Sequence, residues 1–273
     1  MKILVTGHKG LIGQRIYERL KLFHDVTGWD REDRGIYYKF YTEHCEPKPI
    51  KYDLVIHCAA NCIIRDIIED PELAAENVHV TQNLMELIRD TGCKKIVMFS
   101  SSRVEHDDMN PYTAGKKYAE NLTEAYNECY GIEYLIVRPE TVWGMNDNPV
   151  RVIPRWIKQA LNNEKITVYG NKNKTLPPIY VDDFVDAFMG YFNDWKTHKN
   201  STVKIAGKHI TVGEIIKIIK HLTNSKSKVK FTSAELSQPQ EMINYNYHYD
   251  SDEVKFLKRL REVLKNENII NRK

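Results

Sequence analysis

The chain lacks the long apolar runs that a membrane helix requires. No apolar run approaches the roughly 20 residues that span a bilayer, and the N-terminal MKILVTG is too short for a signal peptide. The five cysteines are odd in number and show no spacing typical of a disulfide framework, so we expect reduced thiols. These absences predict a cytoplasmic protein that does not enter a membrane.

A strong excess of charge of one sign is also missing. The 273 residues carry a formal net charge of +3 at pH 7, far from the basic character of a dedicated nucleic-acid-binding protein. The sequence has no internal repeat and no low-complexity segment. Nucleic acid is therefore not expected as a partner, and the length suits one large domain or two unequal ones.

The first half of the chain alternates short apolar segments with segments of helical periodicity. Strands are predicted at 2–6, 26–29, 53–60, 94–102 and 133–139. Helices are predicted at 11–23, 72–91 and 112–130, the last two ending at Gly92 and Gly131. This alternation predicts an α/β fold with a Rossmann-type, doubly wound parallel sheet and right-handed crossovers.

Beyond Gly144 the alternation is less regular. Helices are predicted at 148–163, 179–192, 211–222 and 250–264, and strands at 165–170 and 201–207. Thr211 with Glu214, and Asp250 with Glu253, have the spacing of capping boxes. We predict a large domain at 1–145, to which 179–207 returns, and a smaller, discontinuous C-terminal substrate-binding domain at 146–178 and 208–273.

A glycine-rich turn lies between the first strand and the first helix. Gly7, Gly10 and Gly13 allow a tight turn and let the backbone approach a pyrophosphate at the helix N-terminus, although an ordinary strand–helix turn is the alternative. Asp30 ends the second strand, where a carboxylate accepts hydrogen bonds from ribose hydroxyls and repels a 2′-phosphate. The pattern predicts a dinucleotide site that favours NAD over NADP. Arg31 could bind that phosphate, but we interpret it as a surface residue.

Four motifs in order resemble the extended short-chain dehydrogenases/reductases, and most closely their nucleotide-sugar epimerase/dehydratase family. They are GHKGLIG (7–13), HCAA (57–60), FSSS (99–102) and Tyr112 four residues before Lys116. The segments at 76–102, 132–144 and 168–188 extend the similarity. The resemblance implies that NAD is the cofactor. It implies as cofactor-binding residues Gly7, Gly10, Leu11, Ile12, Gly13, Asp30, Arg31, Cys58, Ala59, Ala60, Asn77, Ser100, Tyr112, Lys116 and Pro139.

The Tyr112–Lys116 pair has the spacing that places two side chains on one helix face. The helix begins at the carboxyl edge of the sheet, where ligands bind in such folds. A tyrosine with a reference pKa near 10 is a poor base unless a cation stabilises its phenolate, and Lys116 supplies that charge. Tyr17 and Lys21 have the same spacing but lie in the second half of their helix, so we interpret them as a chance pair.

The resemblance implies Ser101, Tyr112 and Lys116 as catalytic residues. Ser101 would hydrogen-bond the reacting oxygen and orient it toward Tyr112, whereas three serines that simply end a strand are the alternative. The substrate is expected to contact Ser101, Ser102, Arg103 and Thr141.

The family pattern is broken on the substrate side. Ser102–Arg103 stands where the 4,6-dehydratases have Asp-Glu, so dehydration is disfavoured. Thr141 replaces the usual asparagine, and Leu176 replaces an arginine that grips the nucleotide phosphates. Glu105–His106 replaces a Tyr-Gly pair, in a loop that is shorter than usual. A nucleotide sugar stays the expected substrate, but its diphosphate must be held differently.

Two other groups of residues could be taken for sites. His57, Cys58 and Cys62, with His44–Cys45 upstream, could suggest a metal centre, but His57 and Cys58 end a buried strand, so we interpret them as structural and predict no metal. The acidic run 105–108 is predicted to be a solvated loop.

The resemblance implies an NAD-dependent nucleotide-sugar epimerase, in which a sugar hydroxyl is oxidised to a ketone and then reduced from the opposite face. An NAD(P)H-dependent ketosugar reductase is the first alternative. A non-catalytic dinucleotide-sensing protein is the second, although the joint presence of Ser101, Tyr112 and Lys116 argues against it. A homodimer joined by the helices at 72–91 and 112–130 is also implied.

Overall fold

The computed structural model describes residues 1–31, 51–106, 109–144, 147–233 and 253–266. Within these ranges the strands are β1 (Lys2–Thr6), β2 (Asp25–Trp29), β3 (Leu54–His57), β4 (Lys95–Phe99), β5 (Glu133–Pro139), β6 (Val142–Trp143), β7 (Ile166–Tyr169), β8 (Thr175–Leu176), β9 (Ile179–Tyr180), β10 (Ser201–Ile205), β11 (Ile210–Thr211) and β12 (Val229–Thr232). The helices are α1 (Leu11–Leu20), α2 (Ile64–Glu69), α3 (Glu72–Thr91), α4 (Pro111–Tyr130), α5 (Val152–Leu161), α6 (Val181–Asn193), α7 (Trp195–His198), α8 (Val212–Leu222) and α9 (Glu253–Asn266).

The central sheet confirms the predicted α/β fold. Six described strands pair in the order β10-β5-β4-β3-β1-β2, and every pair is parallel. β1 lies between β2 and β3, so the chain leaves β1 toward one side of the sheet and later continues on the other. The carboxyl ends of β1 and β3 therefore flank the switch point at which ligands bind in doubly wound folds.

The inner strands β1, β3 and β4 of this sheet are buried on both faces. Ile3, Leu4 and Val5 are successive residues of β1 with no solvent exposure, and successive side chains of a strand point to opposite faces. Leu4 packs in a cluster that includes Leu84 and Ala119, so α3 and α4 cover one face. A strand that is buried on both faces needs apolar side chains at successive positions, and this accounts for the continuous apolar sequence of these strands.

The chain divides into two compact units. The larger comprises Met1–Pro139 and Val185–Ile205, and the smaller comprises Glu140–Phe184 and Ala206–Lys273. The smaller unit has its own hydrophobic core, in which Trp143, Trp156, Ile219 and Leu260 are almost fully buried. The division into an NAD-binding and a substrate-binding domain at the bounds given above stays a prediction.

Several element ends differ from the predicted ones. The fourth strand ends at Phe99 because Ser102–Glu105 forms a 3-10 turn, and the third ends at His57. Ile179–Tyr180 is strand β9 paired with β6, so α6 begins only at Val181. The capping box of Thr211 and Glu214 is confirmed. Asp250, the predicted cap of the last helix, lies outside the described residues, as do His44–Cys45.

No helix in the described ranges is long and apolar enough to cross a bilayer. The same ranges contain no group of three or more His, Cys, Asp or Glu side chains that could hold a metal ion.

Candidate functional site

The glycine turn after β1 is a place of close backbone approach. Gly7 has a φ of 72°, and a Cβ added there would lie 2.7 Å from the backbone nitrogen of Ala59. A Cβ on Gly13 would lie 2.1 Å from the carbonyl oxygen of Gly7. Gly10 precedes α1 without a side-chain cap, so the first backbone N–H groups of the helix are available to an anion. The turn thus has the shape and polarity that a pyrophosphate requires.

Asp30 lies against this turn. Its Oδ2 atom accepts a 3.0 Å hydrogen bond from the backbone nitrogen of Lys9, and its Oδ1 atom accepts one of 2.8 Å from the nitrogen of Arg31. Arg31 itself is exposed. The end of β2 and the glycine turn therefore lie side by side. The sequence predicts that the first contacts the ribose hydroxyls and the second the pyrophosphate of one cofactor.

A buried histidine joins the strands that flank the switch point. The Nδ1 atom of His57 is hydrogen-bonded to Oγ1 of Thr6 at 2.7 Å, and its Nε2 atom to Oγ1 of Thr81 at 3.2 Å. Burial, and then the charge of Lys116, lowers the pKa of His57 from 6.5 to about 3. The ring is therefore neutral at physiological pH, and its two hydrogen bonds link β3 to β1 and α3.

The segment after β3 is fixed by a pair of asparagines. The nitrogen of Asn61 donates to Oδ1 of Asn77 at 2.7 Å, and Nδ2 of Asn77 donates to the carbonyl of Asn61 at 3.0 Å. Between β3 and Asn61 lie the predicted cofactor contacts Cys58, Ala59 and Ala60. The sequence pattern did not indicate that Asn77 holds this segment in place.

Tyr112 and Lys116 lie at the beginning of α4. Asn110 caps the helix by accepting a 3.0 Å hydrogen bond from the nitrogen of Thr113, which sets where the helix starts. Tyr112 is 8% exposed. The Nζ atom of Lys116 lies 5.9 Å from the centroid of the Tyr112 ring and donates a 2.8 Å hydrogen bond to the carbonyl oxygen of Phe99. The pair is thereby fixed at the end of β4.

The ammonium of Lys116 is in a desolvated place. Burial is the main effect and lowers its pKa, while the carboxylate of Glu120 acts in the opposite direction. The pair Tyr17–Lys21 has the same spacing but differs in the burial of its lysine. Lys21 lies 5.5 Å from the centroid of the Tyr17 ring, but it is exposed.

The serines that follow β4 form a tight turn. Oγ of Ser101 accepts a 3.3 Å hydrogen bond from the nitrogen of Arg103 and so caps the 3-10 turn that also contains Ser102. A hydroxyl that accepts from the backbone keeps its own proton for donation. Oγ of Ser100 is buried and has no hydrogen-bond partner in the described part of the chain. Pro139 ends β5, the neighbouring strand.

The prediction of a solvated acidic loop after this turn was wrong for Glu105. Its carboxylate pairs with Arg138 at 3.1 Å and with Lys204 at 3.1 Å, and its side chain is 21% exposed. His106 is buried, and its Nδ1 atom has no hydrogen-bond partner among the described residues. The loop sequence is acidic, but its first carboxylate is balanced by two cations from the sheet. The residues at 107–108 lie outside the described ranges.

Two of the substituted positions lie in the smaller unit. Thr141 has a φ of 39°, a left-handed conformation that is strained for a β-branched residue, and its carbonyl accepts a 3.2 Å hydrogen bond from the nitrogen of Ile179. Leu176 pairs with Ile210 in a two-stranded sheet and packs against the core of that unit. Its aliphatic side chain offers no donor to a phosphate.

Comparison with known proteins identifies the family of this chain. Residues 3–206 match the NAD-dependent epimerase/dehydratase family. A UDP-glucuronate 4-epimerase of Thermodesulfobacterium geofontis is 29% identical over 89% of this chain and 90% of its own length. A Methanocaldococcus jannaschii protein provisionally named as a UDP-glucose 4-epimerase is 30% identical over 80% of this chain and 81% of its own length.

Solved structures show the same fold. The UDP-glucuronic acid 4-epimerase of Bacillus cereus, crystallised with UDP-glucuronic acid and NAD, superposes with a TM-score of 0.77 at 22% identity over 97% of both chains. The family match spans about three quarters of the sequence and includes the glycine turn, the serine turn and the Tyr112–Lys116 pair. The chain belongs to the NAD-dependent epimerase/dehydratase family.

Proposed function

We propose that the chain is an NAD-dependent nucleotide-sugar epimerase and that Ser101, Tyr112 and Lys116 are its catalytic residues. The observation that carries the proposal is the hydrogen bond from Lys116 to the carbonyl of Phe99. Phe99 precedes Ser101 by two residues, so this bond supports a cation that is held beside Tyr112 and close to the serine turn. The relatives reported above are named for UDP-sugars, so a UDP-sugar is the substrate class to test first.

The residues present fit the cofactor. Gly7 and Gly13 let the turn pack against the backbone of Ala59 and of Gly7 itself more closely than any Cβ would permit, and the N-terminus of α1, which this turn precedes, offers donors to the pyrophosphate. Asp30 would accept hydrogen bonds from the adenosine ribose. When bound, NAD supplies the chemistry of hydride acceptance and return.

The protein side chains handle the proton. Tyr112, as phenolate, accepts the proton of the sugar hydroxyl, and the ammonium of Lys116 stabilises the negative charge that the phenolate carries beforehand. The hydroxyl of Ser101 donates a hydrogen bond to the same sugar oxygen and thereby orients it toward Tyr112. Epimerisation also requires the oxidised sugar to rotate in the site, so that its opposite face is reduced, before Tyr112 returns the proton.

The experiment is incubation of the purified protein with UDP-glucose, UDP-glucuronate and UDP-N-acetylglucosamine without added cofactor. We expect the sugar protons followed by NMR to show conversion to the C4 epimer of at least one substrate, and we expect the Tyr112→Phe variant to show none. No conversion of these three sugars, together with reduction of a UDP-4-ketosugar that consumes one equivalent of added NADH per product, would instead identify a ketosugar reductase. Tight NAD binding without any conversion would favour a dinucleotide-sensing protein.

We also propose a cytoplasmic homodimer joined through α3 and α4. Hydrogen bonds from Tyr118 to Gln82, from Gln82 to Tyr126 and from Tyr126 to Glu86 link the two helices into one surface, which supports their acting as a unit. Light scattering should then give twice the chain mass of 32.0 kDa. A monomer at micromolar concentration would contradict the proposal.

A further inference from the structure

The serine turn after β4 is short and is held internally by few bonds. Besides the bond to Oγ of Ser101, the nitrogen of Val104 donates to the carbonyl of Ser101 at 3.3 Å, and the nitrogen of His106 donates to that of Arg103 at 3.1 Å. A single 3-10 turn has poor hydrogen-bond geometry and little stability of its own. Its position must therefore come from contacts with the sheet.

Glu105 provides such a contact with two strands at once. Its Oε1 atom accepts a 3.1 Å hydrogen bond from Nη1 of Arg138, and its Oε2 atom accepts one of 3.1 Å from Nζ of Lys204. Arg138 and Lys204 are register partners on the neighbouring strands β5 and β10. Burial alone raises the pKa of Glu105, but the bonds and charges of Lys204 and Arg138 hold it below its ordinary value, so the carboxylate is charged at neutral pH.

The same guanidinium also binds the catalytic helix. Nε and Nη2 of Arg138 donate to the two carboxylate oxygens of Glu120 at 2.9 and 2.6 Å. Glu120 lies four residues after Lys116, one turn further along the same face of α4. Arg138 thus connects the turn that carries Ser101 to the helix that carries Tyr112 and Lys116.

This network is partly buried and balanced in charge. The side chains of Glu120, Glu105, Arg138 and Lys204 are 9, 21, 24 and 28% exposed, and two carboxylates face two cations. Bidentate and networked pairs with restricted exposure position groups more firmly than isolated surface pairs do.

We propose that Glu105 is a positioning residue, whose ion pairs with Arg138 and Lys204 hold the Ser101 hydroxyl at its working distance from Tyr112. The inference rests on the proposed function, because the position of Ser101 affects a rate only if the hydroxyl contacts the sugar. Loss of the carboxylate charge releases the turn without altering the glycine turn or Asp30. Turnover should suffer and cofactor binding should not.

The test is the Glu105→Gln variant, which keeps the shape of the side chain and removes its charge. We expect kcat for the UDP-sugar to fall by about tenfold or more, as misplacement of a reacting group does, while KM and the Kd for NAD change by less than about twofold. Glu105→Asp, which restores the charge on a shorter side chain, should recover part of the rate. Glu18→Gln is the matched control, since Glu18 pairs with Arg15 at 3.2 Å on an exposed surface.

A second measurement needs no substrate. Hydrogen exchange of the backbone amides at 101–106 should be faster in Glu105→Gln than in the wild type, with exchange in β1 and β3 unchanged. Unchanged exchange in the turn, or an unchanged kcat in an otherwise active enzyme, would overturn the inference. A lower Tm with full kcat at temperatures well below it would overturn it too, because that is a purely structural effect. If the wild type converts no nucleotide sugar, the proposed function fails, and the exchange experiment still decides whether Glu105 holds the turn.

Discussion

The Nζ atom of Lys116 donates a 2.8 Å hydrogen bond to the carbonyl oxygen of Phe99. Phe99 is the last residue of β4, and Ser101 follows it by two positions. One bond therefore fixes a desolvated ammonium with respect to both the tyrosine of its own helix and the serine turn. This juxtaposition, and not the i, i+4 spacing alone, separates Tyr112–Lys116 from Tyr17–Lys21.

The first prediction concerns Tyr112. Tyr112→Phe keeps the buried ring and removes the hydroxyl group that accepts the sugar proton. Turnover should therefore fall by a factor of about 10² to 10⁴. The Tm and the affinity for NAD should stay close to those of the wild type. Tyr17→Phe removes the same atom from the comparison pair and should leave kcat unchanged. Near-normal turnover by Tyr112→Phe would refute the assigned mechanism.

The second prediction concerns cofactor choice. Both carboxylate oxygens of Asp30 accept backbone hydrogen bonds beside the glycine turn, so its carboxylate is held at the end of β2, where a negative charge disfavours a 2′-phosphate in folds of this type. NAD should bind at least about tenfold more tightly than NADP, or about 1.4 kcal/mol. Asp30→Asn should reduce this ratio, whereas Arg31→Ala should not lower the affinity for NAD. Equal affinities of the wild type in calorimetry would contradict the prediction and point to Arg31.

Local patterns in the sequence predicted the sheet and the glycine turn between β1 and α1 well. Continuous apolar runs such as Ile3–Val5 are buried on both faces, and that requirement is readable residue by residue. Glu105 was misjudged because its partners Arg138 and Lys204 are 33 and 99 residues away. Ion pairs that bridge parallel strands leave no periodic signal, so an acidic segment looks solvated until the strand order is known.

The third prediction concerns the glycine turn. Gly7→Ala would place a Cβ 2.7 Å from the backbone of Ala59 at a φ of 72°, so it should abolish NAD binding and lower the free energy of unfolding by about 1–3 kcal/mol. Gly190 lies inside α6, where a Cβ meets no atom within 4 Å. Gly190→Ala should therefore be neutral or stabilising by about 0.5–1 kcal/mol. Cofactor titration together with urea unfolding separates the two effects, and normal NAD affinity in Gly7→Ala would exclude a pyrophosphate at this turn.

The last prediction concerns acid stability and His57. Its pKa in the folded protein is lowered to about 3, first by burial and then by the charge of Lys116, whereas an unfolded histidine titrates near 6.5. Between these values the unfolded chain takes up a proton that the folded protein does not. The stabilising contribution is therefore fully present above pH 6.5 and declines as the pH falls toward 3.

The measurement is the free energy of unfolding as a function of pH for the wild type and for His57→Gln. The glutamine cannot titrate, so from pH 6 to pH 4 the wild type should lose roughly 2–3 kcal/mol more than the variant, since each pH unit corresponds to about 1.4 kcal/mol for one proton. Carboxylates act equally in both proteins and cancel in the difference. His79→Gln, at an exposed position on α3, should leave the wild-type slope unchanged. Parallel curves for wild type and His57→Gln would show that the His57 ring takes up its proton in the folded protein as readily as in the unfolded chain, and that burial and the charge of Lys116 do not hold it neutral.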